Sequence, residues 1–239
     1  MELCIFNKIE DDLCIKGILE KDNVIVLRNI IEFSETEGVT SSAIKEYVAT
    51  RLANDDNILS RLAQAGKFIG DDLYRLAKFD IEQIYKKLFS TQIKYAPSGN
   101  PIGFSNGYVA SIRAITESKS AQELLDLLIE HYRKFGSGIL AKYNAFRYDG
   151  ELIGVTNTDD ITFDSLVGIE YQKQVLIDNT KAFVSGKAAN NVLLFGDRGT
   201  GKSSSVKALL NMFCDDGLRI IEMPKHCIKD IPSLSKVLA

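Results

Sequence analysis

From Gly196 to Ser203 the chain reads Gly-Asp-Arg-Gly-Thr-Gly-Lys-Ser. This fits the pattern G-x-x-x-x-G-K-[ST] at every position, and chance supplies such a match in roughly one chain in a hundred of this length. The pattern constrains the fold because it works only on a tight turn between a strand and a helix. Gly196, Gly199 and Gly201 allow backbone conformations and close approaches that a side chain would forbid. The amides of Asp197, Arg198, Thr200 and their glycine neighbours can then converge on phosphate oxygens, aided by the positive end of the following helix. Lys202 would reach the β- and γ-phosphates as a point charge. Ser203 would offer its hydroxyl to Mg²⁺, and Ser204 would touch the α-phosphate.

The flanks supply the required context. Val192-Leu193-Leu194-Phe195 is a short apolar run, which predicts a strand buried on both faces of a parallel sheet. Val206, Leu209, Leu210 and Phe213 share one face of a predicted helix that ends at Asp215-Asp216-Gly217. A second predicted strand, Leu218 to Met223, is closed by Pro224. Strand, helix and strand in this order predict a βαβ unit with a right-handed crossover. Asp230-Ile231-Pro232 reads as the capped start of another helix, with Pro232 in its first turn.

Upstream, helical periodicity dominates. Ile44, Tyr47, Val48 and Leu52 repeat on one helix face, as do Leu73, Leu76, Ala77, Ile81, Ile84 and Leu88. A third segment runs from Ser120 to Phe135, apolar at Leu124, Leu125, Leu128 and Tyr132, with Ser120 and Gly136 as cap signals. Val24 to Leu27 fits either a strand or the start of a buried helix. Tyr95 to Gly107, with Pro97 and Pro101, predicts a long loop. Tyr143, Phe146 and Tyr148, interleaved with Lys142 and Arg147, could serve stacking on single-stranded nucleic acid; the favoured reading is a helix end that packs its rings inward. Gly150 to Asp160 is polar and predicts a linker. Beyond it, Glu170 to Val184 reads as a helix with Val175, Leu176, Ala182 and Phe183 apolar, stopped by Gly186. The expected fold class is α/β. A mainly helical N-terminal domain over residues 1–160 precedes the beginning of a P-loop parallel-sheet domain over 161–239.

Composition excludes several functions. A net charge of −3 and a pI of 5.6 argue against broad nucleic-acid binding, and the pairs Lys16/Lys21 and Lys86/Lys87 read as solvated helix faces. No apolar run approaches the ~20 residues that cross a bilayer. Met1-Glu2-Leu3-Cys4 lacks the basic head and apolar stretch of a secretory signal, so the expected location is cytoplasmic. The cysteines at 4, 14, 214 and 227 form no CxxC pair and are expected to be reduced. His226-Cys227 with Asp230 nearby makes at most a corner of a metal site. Tetrahedral zinc needs further ligands, and the only other histidine is His131.

Phe163 to Gly168, the helix from Glu170, and Asn191 to Gly196 leading into the loop resemble the opening of an AAA+ ATPase module. More narrowly, Leu166 to Pro232 resembles a bacterial AAA+ family of unknown function, the likeness resting on Gly196 to Ser205 and Pro224-Lys225-His226. The resemblance implies an ATPase that binds ATP with Mg²⁺, with Val167 and Gly168 lining the adenine. It also implies an acidic motif on a later strand, a sensor residue, an arginine finger and a helical lid. The chain is expected to end before these, so that alone it binds nucleotide at most. Glu222 imitates the acidic motif but lies one strand too early, and reads as a strand-end residue.

The leading expectation is an AAA+ ATPase whose helical region contacts a protein partner that ATP turnover remodels, with a homo-oligomer implied by analogy. One alternative is a P-loop kinase of a small metabolite, in which Glu222 acts on the acceptor. The other is a non-enzymatic interaction module with a vestigial loop.

Overall fold

A computed structural model describes residues 1–39, 42–89, 104–156 and 158–238, which fall into two compact units, Met1–Lys142 and Tyr143–Ala239. Short polar side chains start several helices of the first unit. Asp12 accepts the amide of Ile15 to begin α1 (Leu13–Glu20), and Asp22 accepts those of Val24 and Ile25 to begin α2 (Asn23–Glu37). The ambiguous run Val24 to Leu27 is therefore helical. α3 (Ala43–Ala53) follows, and Asn57 and Ser60 form a reciprocal capping box on α4 (Ile58–Gln64). Each such cap satisfies amides that a helix start leaves unpaired, and is worth about 1 kcal/mol.

α5 (Asp71–Ile84) runs into a single π-type turn over Tyr85–Phe89. Its buried stripe is Ala77, Asp80, Ile81 and Ile84, whereas Leu76 is exposed. Asp80 occupies a core position because its carboxylate accepts the amides of Cys4, Ile5 and Phe6 at 2.6–3.1 Å, tying down the N-terminal segment. Of the loop expected over Tyr95 to Gly107, residues 95–103 lie outside the described residues, and Asn106 and Gly107 open α6 (Asn106–Thr116). α7 (Ala121–Phe135) starts at Ser120 and stops at Gly136, as the cap signals predict. A short α8 (Ile139–Lys142) ends the unit. Phe6, Ile15, Ile30, Leu52, Leu59 and Tyr132 are among the fully buried side chains of its core. Burial of each contributes about 1.5–3 kcal/mol against chain entropy.

The second unit opens with a hairpin, β1 (Ala145–Tyr148) and β2 (Leu152–Gly154), paired antiparallel. α9 (Glu170–Val184), α10 (Lys202–Phe213), β3 (Ile220–Glu222) and α11 (Ile231–Leu238) follow. β3 pairs parallel with β1, giving a three-stranded mixed sheet in the order β2-β1-β3. The region expected to be a helix end and a linker is thus this hairpin. It belongs to the second unit because its ladder partner is β3, so the boundary lies ahead of the expected position at 160. Phe146 and Tyr148 turn inward, at 1% and 9% exposure, which leaves neither ring available for base stacking.

The expected strand Val192–Phe195 is not formed. Among the described residues it makes no ladder hydrogen bonds, and Leu193 and Phe195 are 84% and 88% exposed. A parallel strand is stable when paired and covered on both faces, and this small sheet supplies neither condition at that position. The βαβ unit expected around α10 is correspondingly replaced by the parallel pair β1–β3. α9 buries only Leu176 fully, while Val175 and Phe183 remain exposed. Among the described residues no helix is long and apolar enough to cross a membrane.

Candidate functional site

The glycine-rich segment forms a turn that runs directly into α10. Gly196, Gly199 and Gly201 have φ of 140°, 85° and 82°, values a residue with a Cβ adopts only under strain. Arg198 and Gly199 form a turn within the segment, and the Ser205 amide donates back to the Gly201 carbonyl at 2.8 Å as the helix begins. A helix start leaves its first amides without intrahelical partners, and the helix dipole adds positive potential there. Amides at such a helix start are of the kind that donate to anions.

Lys202 is the first residue of α10. Its Nζ donates to the carbonyls of Gly196 (2.8 Å) and Asp197 (2.6 Å) and lies 3.3 Å from Thr200 Oγ1. Thr200 Oγ1 in turn donates to Asp197 O at 2.9 Å. The ammonium is thereby held against the loop itself rather than extended into solvent. Residues 196–200 and Ser203 are exposed, and Ser204 is half-buried on the first helical turn. A polyanion could thus approach the loop without rearrangement of the core.

The turn ahead of α9 packs beside this loop. A Cβ placed on Gly201 would stand 3.8 Å from both Leu166 Cδ2 and Ile169 Cδ1. Gly168, with φ of 83°, makes the bend between them, and Val167 is 87% exposed. The Gly168 amide donates to Glu170 Oε1 at 3.3 Å. The backbone amide of Glu170 itself, followed by that of Gly168, holds this carboxyl below the usual carboxylate range. Val167 and Gly168 therefore share a neighbourhood with Gly201, although they are remote from it in sequence.

Between α10 and the β1–β3 pair lies a cleft of about 580 Å³, lined by residues that include Phe146, Asp159, Ser203, Lys207, Ile221 and Glu222. Both of its carboxylates are engaged. Asp159 pairs with Lys207, and Asn211 Nδ2 donates to the Asp159 carbonyl at 2.8 Å. Glu222 lies opposite Arg147 in the β1–β3 register and 3.4 Å from its guanidinium. Glu222 is thus a strand-end residue in a surface ion pair. The Ser203 hydroxyl at this cleft is chemically suited to ligate Mg²⁺, and among the described residues both lining carboxylates are taken up in ion pairs.

The loop and its helix were legible in the sequence. Asp159 and the hairpin that lines the cleft were not, because their significance depends on pairing between β1 and β3. Asp149, a third side chain beside His226 and Cys227, was equally hidden.

The fold and loop define this unit as a mixed α/β domain with a glycine-rich turn at a helix start. Residues 141–239 match the profile of a family described as "Protein of unknown function (DUF815)", a span that coincides closely with the second compact unit. No curated protein and no solved structure gave a match.

Proposed function

We propose that residues 196–204 form a P-loop that binds the triphosphate of ATP with Mg²⁺, in an ATPase of the AAA+ type that couples nucleotide turnover to remodelling of a protein partner. The observation that carries this reading is the glycine-rich turn, left-handed at Gly199 and Gly201, at the head of α10, with the Lys202 ammonium held against the same loop. Phosphate oxygens would accept from amides of that turn and from Lys202, as charge-assisted hydrogen bonds favour. The Ser203 hydroxyl would be a ligand to the Mg²⁺ that accompanies the nucleotide, and Val167 and Gly168 would lie against the adenine. The helical first unit would supply the contact to the partner. The ion pair of Glu222 with Arg147 speaks against the kinase alternative, which needs that carboxylate at an acceptor.

Thermal unfolding tests the division of labour. ATP at about 100 times its dissociation constant stabilises the state that binds it by about 2.7 kcal/mol. The melting temperature should rise with ATP and Mg²⁺ together, and Ser203→Ala should remove the Mg²⁺-dependent part. A shift of equal size with and without Mg²⁺, unchanged in Ser203→Ala, would overturn the assignment of Ser203.

A further inference from the structure

Because β1 and β3 are parallel neighbours, their carboxyl ends leave the sheet on the same side. β1 runs directly into Asp149. β3 passes through Met223-Pro224 into a 3-10 turn over Lys225–Asp230, which carries His226 and Cys227. The topology thereby joins residues from distant parts of the sequence. Asp149 Oδ1 lies 3.6 Å from His226 Nε2, and the ligand atoms of Asp149, His226 and Cys227 all lie within 4.8 Å of one another. Cys227 is 5% exposed, packed with Tyr148 and Leu234, while Asp149 and His226 stand at the surface.

An ion pair between Asp149 and His226 accounts for two of these groups but not for the sulfur placed beside them. One carboxylate oxygen, one imidazole nitrogen and one sulfur make a donor set that the hard ions Mg²⁺ and Ca²⁺ do not select and that zinc does. Zinc bonds of about 2.0–2.3 Å in tetrahedral geometry place ligand atoms about 3.3–3.7 Å apart. The carboxylate and imidazole already meet this spacing. The two exposed side chains are free to turn toward the buried sulfur, whose ligand atom lies within 4.8 Å of theirs.

We propose that Asp149, His226 and Cys227 bind one zinc ion, with its fourth coordination position open to water or an exogenous ligand. Binding releases the Cys227 thiol proton to solvent and leaves a zinc–thiolate bond. The ion ties the β1–β2 turn to the segment that follows β3. This site is separate in its residues from the glycine-rich loop and does not depend on nucleotide binding.

Cobalt(II) is the direct probe, since its tetrahedral thiolate complexes absorb in the visible and near-ultraviolet. Titration of the reduced chain should saturate at one equivalent, with d–d bands and a sulfur-to-cobalt charge-transfer band that Zn²⁺ then bleaches. Asp149→Ala and His226→Ala, both at exposed positions, should each weaken binding at least about tenfold, the lower end of what disturbing a metal site costs, with circular dichroism unchanged. Cys227→Ala should abolish the charge-transfer band, and Lys202→Ala should leave the titration as in wild type. Absence of saturable binding would overturn the proposal. Undiminished binding in both exposed-ligand variants, or a charge-transfer band that survives Cys227→Ala, would do the same by placing the metal elsewhere.

Discussion

His131 lies at 1% exposure among the rings of Tyr108, Tyr132 and Phe135. Its Nδ1 is 2.8 Å from Ser111 Oγ, and its buried Nε2 has no hydrogen-bond partner among the described residues. Burial lowers its pKa from the ordinary 6.5 to about 4. Between those values the unfolded chain binds a proton that the folded chain does not, so stability present above pH 6.5 is lost as the pH falls towards 4. A tenfold difference in proton affinity between the two states corresponds to about 1.36 kcal/mol, so folding at pH 5 should be weaker than at pH 7 by about 2 kcal/mol from this group. Urea unfolding at the two pH values should show that loss in wild type and a smaller one in His131→Gln. An identical pH dependence in both would show that His131 is not the group responsible. The sequence marked His131 only as a spare histidine, since burial is decided by packing between α6 and α7 rather than by its neighbours in the chain.

At the scale of elements, the long helices could be read because their evidence is local. Ser120 and Gly136 bracket α7 in sequence as they do in space, and the apolar spacing of Leu124, Leu125, Leu128 and Tyr132 names its buried face. Strands were read less well. The run Val192–Phe195 is apolar enough for a central strand yet remains unpaired, while β1 and β2 came from a stretch that looked like a helix end and a linker. Strand formation depends on a partner, and β1 finds its own in β3, far along the chain. Gly154 shows how tightly that hairpin is closed. A Cβ there would stand within the ring of Tyr143, at 2.3 Å from Cδ2. Gly154→Ala should therefore displace the ring or unpair β2, at a cost of about 1–3 kcal/mol, measured by chemical denaturation with a probe in the second unit. A variant as stable as wild type would mean that Tyr143 has another position open to it.

At the scale of the molecule, the two units differ in what they bury. The first encloses a continuous helical core. The second buries a small cluster of Tyr148, Cys227 and Leu234 and leaves Val167, Leu193 and Phe195 more than four-fifths exposed. That the chain has a helical portion and an α/β portion was legible in periodicity and in the glycine-rich motif. Where one ends was not, because the boundary follows the β1–β3 ladder. Everything proposed for nucleotide chemistry requires the loop of the second unit to be a phosphate site. The most direct measurement is titration of the chain with a fluorescent ATP analogue, with and without Mg²⁺, beside Lys202→Ala. Saturable, Mg²⁺-strengthened binding that Lys202→Ala weakens by about tenfold or more, or at least about 1.4 kcal/mol, is the predicted result. Equal binding by the two proteins, or none by folded wild type, would contradict it.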